Sequence, residues 1–327
     1  MSGDLGPRVV IRAVQKFTSR YSDVDILLVG DSDQILMLAP ELAKSPPSVQ
    51  ILHAADIVLM TDAPRAVLRH KKESSMWLAL TALRDERAQA CVSAGNTGAL
   101  LVMAKYLLGT CAGIDRPAIC KSMPVESGFT YLLDLGANIN CTAQQLHQFA
   151  LMGAVLAGGH NQGDLARIAL LNIGTESLKG TDVLQEAAVL LQGDKNLNYV
   201  GFVEANKIFS GEVDVIVCDG FHGNVALKAS EGVAHFIRNK IARTLTKSIF
   251  TKLMSLLCFP LLRHIRADLD PAYYNGASFL GLSKTVIKSH GNANEKAFFQ
   301  ALVVAREQAI QQLPALIQQQ LLSIHSQ

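Results

Sequence analysis

The N-terminal part of the chain alternates between helical and strand-like spacing of its apolar residues. Apolar positions recur with helical spacing over 9–17, directly behind Pro7, a residue that suits the first turn of a helix. Continuous apolar runs at 24–30 and 48–54 predict two buried strands, with a helix over 33–44 between them. No strand-like run stands before the first predicted helix, although doubly wound α/β folds normally begin with a strand.

The rest of the chain follows a more regular alternation. Strand, loop and helix succeed one another from Ala88 to about residue 230, and one long amphipathic helix is predicted from Glu295 onward. Because strands alternating with helices are typical of βαβ units, we expect a three-layer α/β/α sandwich around a mainly parallel sheet. The chain has 327 residues, and we expect a single domain over 1–327.

Five predicted strands end in loops that are rich in Gly, Asn and Ser or Thr, and a helix-like segment follows each loop. These five blocks are 90–101, 131–141, 168–180, 215–228 and 285–298. Open α/β folds bind ligands at the carboxyl ends of their strands, and the N–H groups of a following helix favour an anion. We therefore expect the five loops to face one crevice that carries out phosphate chemistry.

The loops supply neutral polar groups, a few charges and one histidine that can transfer a proton near pH 7. The candidate catalytic residues are Asn96, Asp134, Lys288 and His290. The candidate phosphate contacts are Gly95, Thr97, Gly98, Asn138, Lys179, Asp219, Asn224, Ser289 and Asn292. For each residue a structural role stays open, as part of an ordinary βα turn, as a loop cap or as a solvated surface group.

Several other kinds of chemistry fit the sequence less well. The first loop lacks both the GxGxxG spacing and the P-loop lysine, so neither nucleotide fingerprint is met. Asp4, Asp134 and Asp219 could gather a magnesium ion, but their spacing does not require one, and we expect no metal or other cofactor. Cys141 could act as a nucleophile, whereas direct attack by a bound oxyanion needs only positioning and charge stabilisation. Direct attack fits these loops better.

Composition and charge narrow the class of protein further. Hydrophobic residues make up 49% of the chain and charged residues 18%, with a formal net charge of +2. This is typical of an apolar folded protein, and nothing in it indicates nucleic-acid binding. The six cysteines show no CxxC pairing, which argues against a zinc site and indicates reduced thiols in a cytosol.

One segment departs from the pattern. The stretch 238–268 contains seven basic residues before Asp268, and 253–262 within it is an uncharged apolar run interrupted by Pro260. Ten residues cannot span a bilayer, but a basic amphipathic helix can lie in its interface. A dimer contact or a core helix is the alternative. The candidate membrane-facing residues are Leu253, Leu256, Leu257, Phe259 and Leu262.

Five blocks together resemble the bacterial phosphate acyltransferases of phospholipid synthesis. They are 90-ACVSAGNTGALL-101, 131-YLLDLGANINC-141, 215-VIVCDGFHGNVALK-228, 273-YYNGASFLGL-282 and 286-VIKSHGNAN-294. The resemblance implies transfer of a fatty acyl chain from acyl-[acyl-carrier-protein] to inorganic phosphate, without metal or nucleotide. It also implies a fold similar to phosphotransacetylase and to the isocitrate and isopropylmalate dehydrogenases.

The same resemblance implies how the protein is organised in the cell. We expect a cytoplasmic homodimer that associates peripherally with the inner face of the cytoplasmic membrane through the insert at 238–268. Its acyl phosphate product would serve a membrane glycerol-3-phosphate acyltransferase. The acidic carrier protein would dock near Arg238, Lys240 and Arg243.

The chain departs from the family at its beginning. The family carries a strand that ends in a Met-Gly-Gly-Asp loop, whereas Met1 to Asp4 starts inside that loop, with Ser2 at a usual glycine. We expect a mis-set start or a truncated chain in which this first strand is missing. The alternatives are a phosphotransacetylase that uses acyl-CoA and a catalytically inactive, membrane-docked regulatory protein. A dehydrogenase of the same fold would need a carboxylate cluster for metal and a nicotinamide site, and neither is evident.

Overall fold

The computed structural model describes residues 3–44, 48–126, 128–158, 165–247 and 270–325. These residues form ten strands: β1 (Ile26–Gly30), β2 (Val49–His53), β3 (Ala90–Ser93), β4 (Ala118–Pro124), β5 (Phe129–Leu133), β6 (Arg167–Asn172), β7 (Asn198–Glu204), β8 (Val215–Val217), β9 (Ala277–Leu280) and β10 (Thr285–Lys288).

The same ranges contain ten α-helices. They are α1 (Pro7–Arg20), α2 (Ser32–Leu38), α3 (Pro64–His70), α4 (Ser75–Arg84), α5 (Thr97–Leu108), α6 (Ala143–Gly158), α7 (Asp182–Gly193), α8 (Gly220–Thr246), α9 (Glu295–Ile310) and α10 (Leu313–His325). Short 3-10 turns occupy Pro40–Lys44, Ala205–Lys207 and Pro271–Tyr274.

The strands form two sheets. β1 pairs with β2 in parallel, and the other eight strands follow the order β3-β10-β9-β4-β5-β8-β6-β7. Five of the eight strand pairings are parallel, and the three antiparallel ones join β10, β9, β4 and β5 in succession. The expected α/β fold with a mostly parallel sheet is confirmed.

Helices cover both faces of the larger sheet because successive strand residues point to opposite sides. Leu133 packs in a cluster with side chains of α6, α7 and α10, whereas its neighbour Leu132 packs with side chains of α4, α5 and α8. The same alternation separates Val217 from Ile216 on β8. The strands are therefore apolar on both faces, as expected for a sheet buried between two layers of helices.

Two predicted helices are each divided in the structure. The one expected over 33–44 ends at Leu38, because Pro40 has no N–H and disfavours a helical residue before it; Ala39 has φ −145° and ψ 74°. The prediction of a single C-terminal helix is also wrong, because α9 ends at Ile310 and Gln312 turns the chain with φ 51°. This turn lets α10 bury Leu313, Ile317 and Leu321 against α6.

Candidate active site

The direction of the strands divides the five loops into two groups. Three antiparallel pairings lie between β10 and β5, so β3 and β10 run opposite to β5, β6 and β8. The registers nevertheless set their carboxyl ends level, because Ile287 pairs with Ser278, Ser278 with Cys120, and Cys120 with Leu133 at the end of β5. That all five loops face one crevice stays a prediction. We call loops 3–6, 93–98 and 288–294 the β10 cluster, and loops 134–141, 172–180 and 218–224 the β8 cluster.

Backbone contacts hold the β10 cluster together. The Asp4 N–H donates to the Gly291 carbonyl at 2.8 Å, and the Ser289 N–H donates to the Ser93 carbonyl at 2.9 Å. Gly3, with φ 137°, lies so near that a Cβ on it would be 3.3 Å from the Ala94 Cβ. Glycine therefore allows the chain segment before α1 to approach the end of β3.

Asn275 holds the loop after β10, and sequence reasoning missed it. Its Oδ1 accepts from the His290 N–H at 3.0 Å, and its Nδ2 donates to the Ser289 Oγ at 2.8 Å and to the Ala297 carbonyl at 2.7 Å. The residue stands in the block 273–282, which the sequence analysis noted without assigning it a role. Its buried amide fixes the loop from which His290 projects.

The side chain of Asn96 is hydrogen-bonded within the fold at both ends of its amide. Its Oδ1 accepts from the Ala99 N–H at 3.0 Å and caps α5, while its Nδ2 lies 3.0 Å from the carbonyl oxygens of both Met60 and Asp62. Both ends of the buried amide are thus used to join the 59–62 loop to the start of α5. Thr97 next to it is exposed, and Gly98 packs against Pro64.

Three basic groups come together beside the loop after β10. Lys288 is buried, and its Nζ donates to the Ser289 carbonyl. Burial lowers the pKa of Lys288 to about 8; the Asp4 charge raises this pKa, and the Lys228 charge lowers it. The pKa of exposed His290 is also lowered, first by desolvation and then by Lys228. The lowered pKa favours the neutral imidazole, and its Nδ1 lies 3.4 Å from the backbone nitrogen of Asn292.

Lys228 belongs to a small ionic network on α8 that sequence reasoning also missed. Its Nζ lies 3.0 Å from Glu231 Oε2, and Lys121 Nζ on β4 lies 3.3 Å from Glu231 Oε1. The available signal was spacing, since Lys228 follows the candidate Asn224 by four residues and such pairs share one face of a helix. The Lys228 charge lowers the pKa of Lys288 and of His290, which places this face of α8 beside the β10 cluster.

Asp134 organises the β8 cluster through hydrogen bonds from four backbone N–H groups. The fully buried carboxylate accepts N–H bonds from Ile119 at 2.9 Å, Ala137 at 3.1 Å and Asn138 at 2.7 Å, besides Gly136 at 3.2 Å. Desolvation raises the pKa of Asp134, and these hydrogen bonds lower it. Buried Asn138 donates its Nδ2 to Asp134 and to the Pro117 carbonyl, each at 2.9 Å. Both side chains are therefore committed to loop structure.

The N-terminus of α8 completes the β8 cluster. Asp219 caps the helix by accepting from the His222 N–H at 2.9 Å, and its second oxygen lies 2.6 Å from His222 Nδ1. The Gly220 N–H donates to the Asn138 carbonyl at 2.7 Å. Asn224 is exposed one turn later, beside Gly136, with no hydrogen bond from its side chain within the described ranges. Its amide can therefore bind a ligand.

Lys179 and Cys141 belong to two loops of the β8 cluster. Lys179 is exposed and pairs with Glu176 at 2.7 Å, which raises the pKa of the lysine. Burial raises the pKa of Cys141 to about 12, so the thiolate that a nucleophile requires is scarce at neutral pH. Asp4 lies in the β10 cluster, and it does not form a metal-binding group with Asp134 and Asp219 among the described residues. No group of three His, Cys, Asp or Glu residues in the described part of the chain could hold a metal ion.

Comparison with known proteins identifies the family. The model of the family described as "Fatty acid synthesis protein" matches residues 1–316. The phosphate acyltransferase of Cellvibrio japonicus is 59% identical over 325 residues, which cover 99% of this chain and 97% of that protein. The chain belongs to the phosphate acyltransferase family. The phosphate acyltransferase of Shewanella woodyi is 46% identical, with 99% of this chain and 95% of that protein covered.

Solved structures agree on the fold of this phosphate acyltransferase family member. A phosphotransacetylase from Streptococcus pyogenes superposes with a TM-score of 0.62 at 18% identity, covering 94% of this chain and 92% of that one. A branched-chain phosphotransacylase from Enterococcus faecalis gives a TM-score of 0.56 at 16% identity, covering 94% and 97%. The chain is thus an acyltransferase with a phosphotransacetylase-like fold, and the resemblance noted in its sequence is confirmed.

The membrane-facing candidates Leu253, Leu256, Leu257, Phe259 and Leu262 lie outside the described residues, as does most of the insert at 238–268. The first part of this insert, up to Thr246, belongs to α8. Lys240 and Arg243 are exposed there. Over the ranges that the structure covers, no helix has both the length and the apolar character needed to cross a membrane.

Proposed function

We propose that this acyltransferase moves a fatty acyl chain from acyl carrier protein to inorganic phosphate, without a metal or other cofactor. The observation that carries the proposal is the row of polar groups from Asn224 and Lys228 on α8 to His290 and Lys288 in the β10 cluster. The family supports acyl transfer to phosphate. The basic row supports binding of a dianion beside an imidazole whose lowered pKa favours its neutral form.

The reaction balances without a protein nucleophile. An oxygen of hydrogen phosphate attacks the thioester carbonyl carbon, and collapse of the tetrahedral intermediate breaks the C–S bond. The electron pair leaves with the carrier sulfur, and the proton of hydrogen phosphate ends on that sulfur. We assign the relay of this proton to His290, charge stabilisation to Lys228 and Lys288, and an amide contact with phosphate to Asn224.

The buried residues position these groups rather than touch the substrate. Asn96, with Gly95 and Gly98 around it, sets the start of α5, while Asn275 and Ser289 set the loop of His290. Asp134 and Asn138 set the β8 cluster against α8. We keep Thr97, Lys179, Asp219 and Asn292 as candidate phosphate contacts, because Thr97, Lys179 and Asn292 are exposed and Asp219 is half-buried beside Asn224.

The test is acyl phosphate formation from palmitoyl-carrier protein and phosphate. Lys228→Ala should raise the KM for phosphate about tenfold, because one tenfold step corresponds to roughly 1.4 kcal/mol of lost interaction. Lys195→Ala removes an exposed lysine between α7 and β7 and serves as the matched control with unchanged KM. Equal kinetics for the two variants would overturn the assignment of Lys228.

The acyl donor is tested separately. Charge reversal at Arg238, Lys240 and Arg243 should raise the KM for palmitoyl-carrier protein and leave the KM for palmitoyl-coenzyme A unchanged, because an acidic carrier needs a basic docking surface. If the unaltered protein instead uses palmitoyl-coenzyme A as well as it uses the carrier, the phosphotransacetylase-type reaction becomes the better description.

We also propose that the protein is a cytoplasmic homodimer attached peripherally to the inner face of the membrane, where a glycerol-3-phosphate acyltransferase would take its product. The basic and apolar composition of 238–268 supports attachment. Deletion of 253–262 should abolish flotation with anionic vesicles while turnover of soluble substrates persists. If the variant that lacks 253–262 still floated with the vesicles, a role of this segment as interfacial anchor would be contradicted.

A further inference from the structure

The loop between β2 and α3 presents large apolar side chains to solvent. Ile57 is 37% exposed, Leu59 49% and Met60 48%, whereas Val58 between them is buried in the core. A single exposed apolar residue is ordinary on a protein surface, but several next to one another mark a binding surface. We call residues 56–62 the apolar loop.

Hydrogen bonds fix the start of the apolar loop. The Asp56 N–H donates to the Glu73 carbonyl at 3.3 Å, and the Asp56 carbonyl accepts from the Ser75 N–H at 3.0 Å. Lys71 Nζ lies 2.9 Å from Asp56 Oδ1. The loop is thereby tied to the segment that joins α3 to α4.

Asn96 and Asp62 fix the other end of the apolar loop. Asn96 Nδ2 lies 3.0 Å from the carbonyl oxygens of Met60 and Asp62. The Asp62 carboxylate accepts from the Leu59 N–H at 2.8 Å, and the Asp62 N–H donates to the Leu59 carbonyl at 3.2 Å. Because the backbone is held at both ends, the apolar side chains stay at the surface. A surface that is already fixed loses little conformational freedom when a ligand binds.

Met60 lies against the loop that carries His290. A Cβ on Gly291 would be 3.4 Å from Met60 Cε and 3.2 Å from Asp4 Oδ2. Gly291 follows His290 directly, and its carbonyl accepts from the Asp4 N–H. The apolar loop therefore adjoins the imidazole to which the proposed function assigns the proton relay.

We propose that the apolar loop binds the first carbons of the donor's acyl chain, with Met60 nearest the reacting carbonyl. This inference rests on the proposed function, in which the thioester carbonyl lies beside His290. The alkyl chain starts one bond from that carbonyl, so an apolar surface next to the His290 loop is within its reach. Burial of each methylene against Leu59 and Met60 favours binding, and the flexible thioether of methionine adapts to an alkyl chain.

The surface of an anionic membrane is the alternative occupant. Arg65 and Arg69 are exposed on α3, and basic residues beside exposed apolar ones can bind such a surface. The contact between Met60 and Gly291 favours the acyl chain, because it places the apolar surface directly beside the proposed reacting groups.

The experiment measures the binding of acylated and unacylated donors in the absence of phosphate. Leu59→Asn/Met60→Gln replaces two exposed apolar side chains by polar ones of similar size, so Tm should not change. The Kd of palmitoyl-carrier protein should rise about tenfold, because contact with roughly two methylenes is lost. The Kd of octanoyl-carrier protein should rise by the same factor, since the affected carbons are those next to the carbonyl. The Kd of unacylated carrier protein and the KM for phosphate should stay unchanged.

Met37→Gln/Leu190→Asn is the matched control. Met37 on α2 is 76% exposed and Leu190 on α7 is 37% exposed, and both lie outside the proposed site. This variant should bind every donor as the parent protein does. If the parent uses palmitoyl-coenzyme A instead of the carrier, the same comparison is made with palmitoyl-coenzyme A and free coenzyme A.

Two results would overturn the proposal while leaving the proposed function intact. One is turnover by the parent protein together with equal affinities of the parent and the loop variant for palmitoyl donors. The other is loss of flotation with anionic vesicles by the loop variant at unchanged donor affinity, which would assign the apolar loop to a membrane surface. Absence of acyl phosphate formation by the parent with any donor would instead overturn the proposed function, and this inference with it.

Discussion

At the scale of single residues, burial divides the polar candidates into two kinds. Asn96, Asp134, Asn138 and Ser289 are buried, and their side chains bond to the protein itself. Thr97, Lys179, Asn224, His290 and Asn292 are exposed. A buried polar group must find a partner within the fold, whereas an exposed group can exchange water for a ligand. The residue types in the five loops predicted a polar site, but they could not show which members serve the loops themselves.

The lowered pKa of Lys288 predicts a pH dependence. Because burial lowers this pKa to about 8, the lysine loses its charge over a range where an exposed lysine keeps it. Phosphate binding should therefore weaken, and the KM for phosphate should rise, as the pH passes upward through about 8. Lys228→Ala removes a cation that lowers the pKa of Lys288, so the rise should move to higher pH. The measurement is the KM for phosphate from pH 6.5 to 9.5.

The lowered pKa of Lys288 affects folding stability in the opposite direction: stability rises with pH where phosphate binding weakens. Between pH 8 and the ordinary value of 10.5, the unfolded chain binds more protons than the folded one. The contribution of Lys288 to the free energy of unfolding should therefore increase with pH over this window, and Lys288→Met should remove that increase. For phosphate binding, a KM that does not change between pH 7 and 9.5 would contradict a charged role for Lys288.

Asp134 predicts a large effect on stability. Asp134→Ala leaves the N–H groups of Ile119, Ala137 and Asn138 without their acceptor, so the free energy of unfolding should fall by about 3 kcal/mol or more. Urea unfolding measures the change. Thr81→Val is the matched control, because Thr81 Oγ1 is buried without a hydrogen-bond partner among the described residues, and its removal should be neutral or stabilising. Equal effects of the two substitutions would contradict the role of Asp134.

At the scale of elements, close packing at Gly223 joins α8 to the end of β5. A Cβ on Gly223 would lie 1.9 Å from the Asp134 carbonyl oxygen. Gly223→Ala should therefore displace the first turn of α8, lower the free energy of unfolding by at least about 2 kcal/mol and reduce turnover. Urea unfolding and acyl phosphate formation measure the two effects.

Gly232, in the same helix, provides the matched control for this prediction. It is exposed, and a Cβ added there would have no neighbouring atom within 4 Å among the described residues, so alanine should stabilise α8 by about 0.5–1 kcal/mol. If Gly223→Ala were as well tolerated as Gly232→Ala, the proposed contact between α8 and the β5 loop would not matter for stability.

Periodicity was sufficient for most elements and insufficient where the chain turns within a helical pattern. The strands at 24–30 and 48–54 are present as β1 and β2, and the helix behind Pro7 is α1. The prediction of one helix over 33–44 was wrong at Pro40, although the proline could be read from the sequence. The break at Gln312 had no comparable signal, because glutamine continues a helix well and only the separate burial of α9 and α10 requires the turn.

At the scale of the whole molecule, strand order could not be predicted from the sequence. Alternating strands and helices predict a mainly parallel sheet, and that part is confirmed. The short run from β9 to β10 forms an antiparallel pair, as does the run from β4 to β5, and both are compatible with the same local pattern. Register and direction depend on contacts far apart in sequence, such as Ile119 with Phe279. The candidate site therefore draws on strands of opposite direction, whose carboxyl ends the registers set level with each other.

An apolar row along α8 predicts the last property, a homodimer formed through this helix. Phe221, Val225, Val233 and Phe236 are exposed and recur with roughly helical spacing beside the polar row of Asn224 and Lys228. Exposed apolar patches of this kind often mark interfaces. Phe236→Asp should convert the dimer to a monomer in light scattering after gel filtration and reduce turnover, because the interface adjoins the proposed phosphate site. Val189→Asp changes an equally exposed apolar residue on α7 and should leave the dimer intact. A monomeric parent protein, or a dimer that tolerates Phe236→Asp, would contradict this interface.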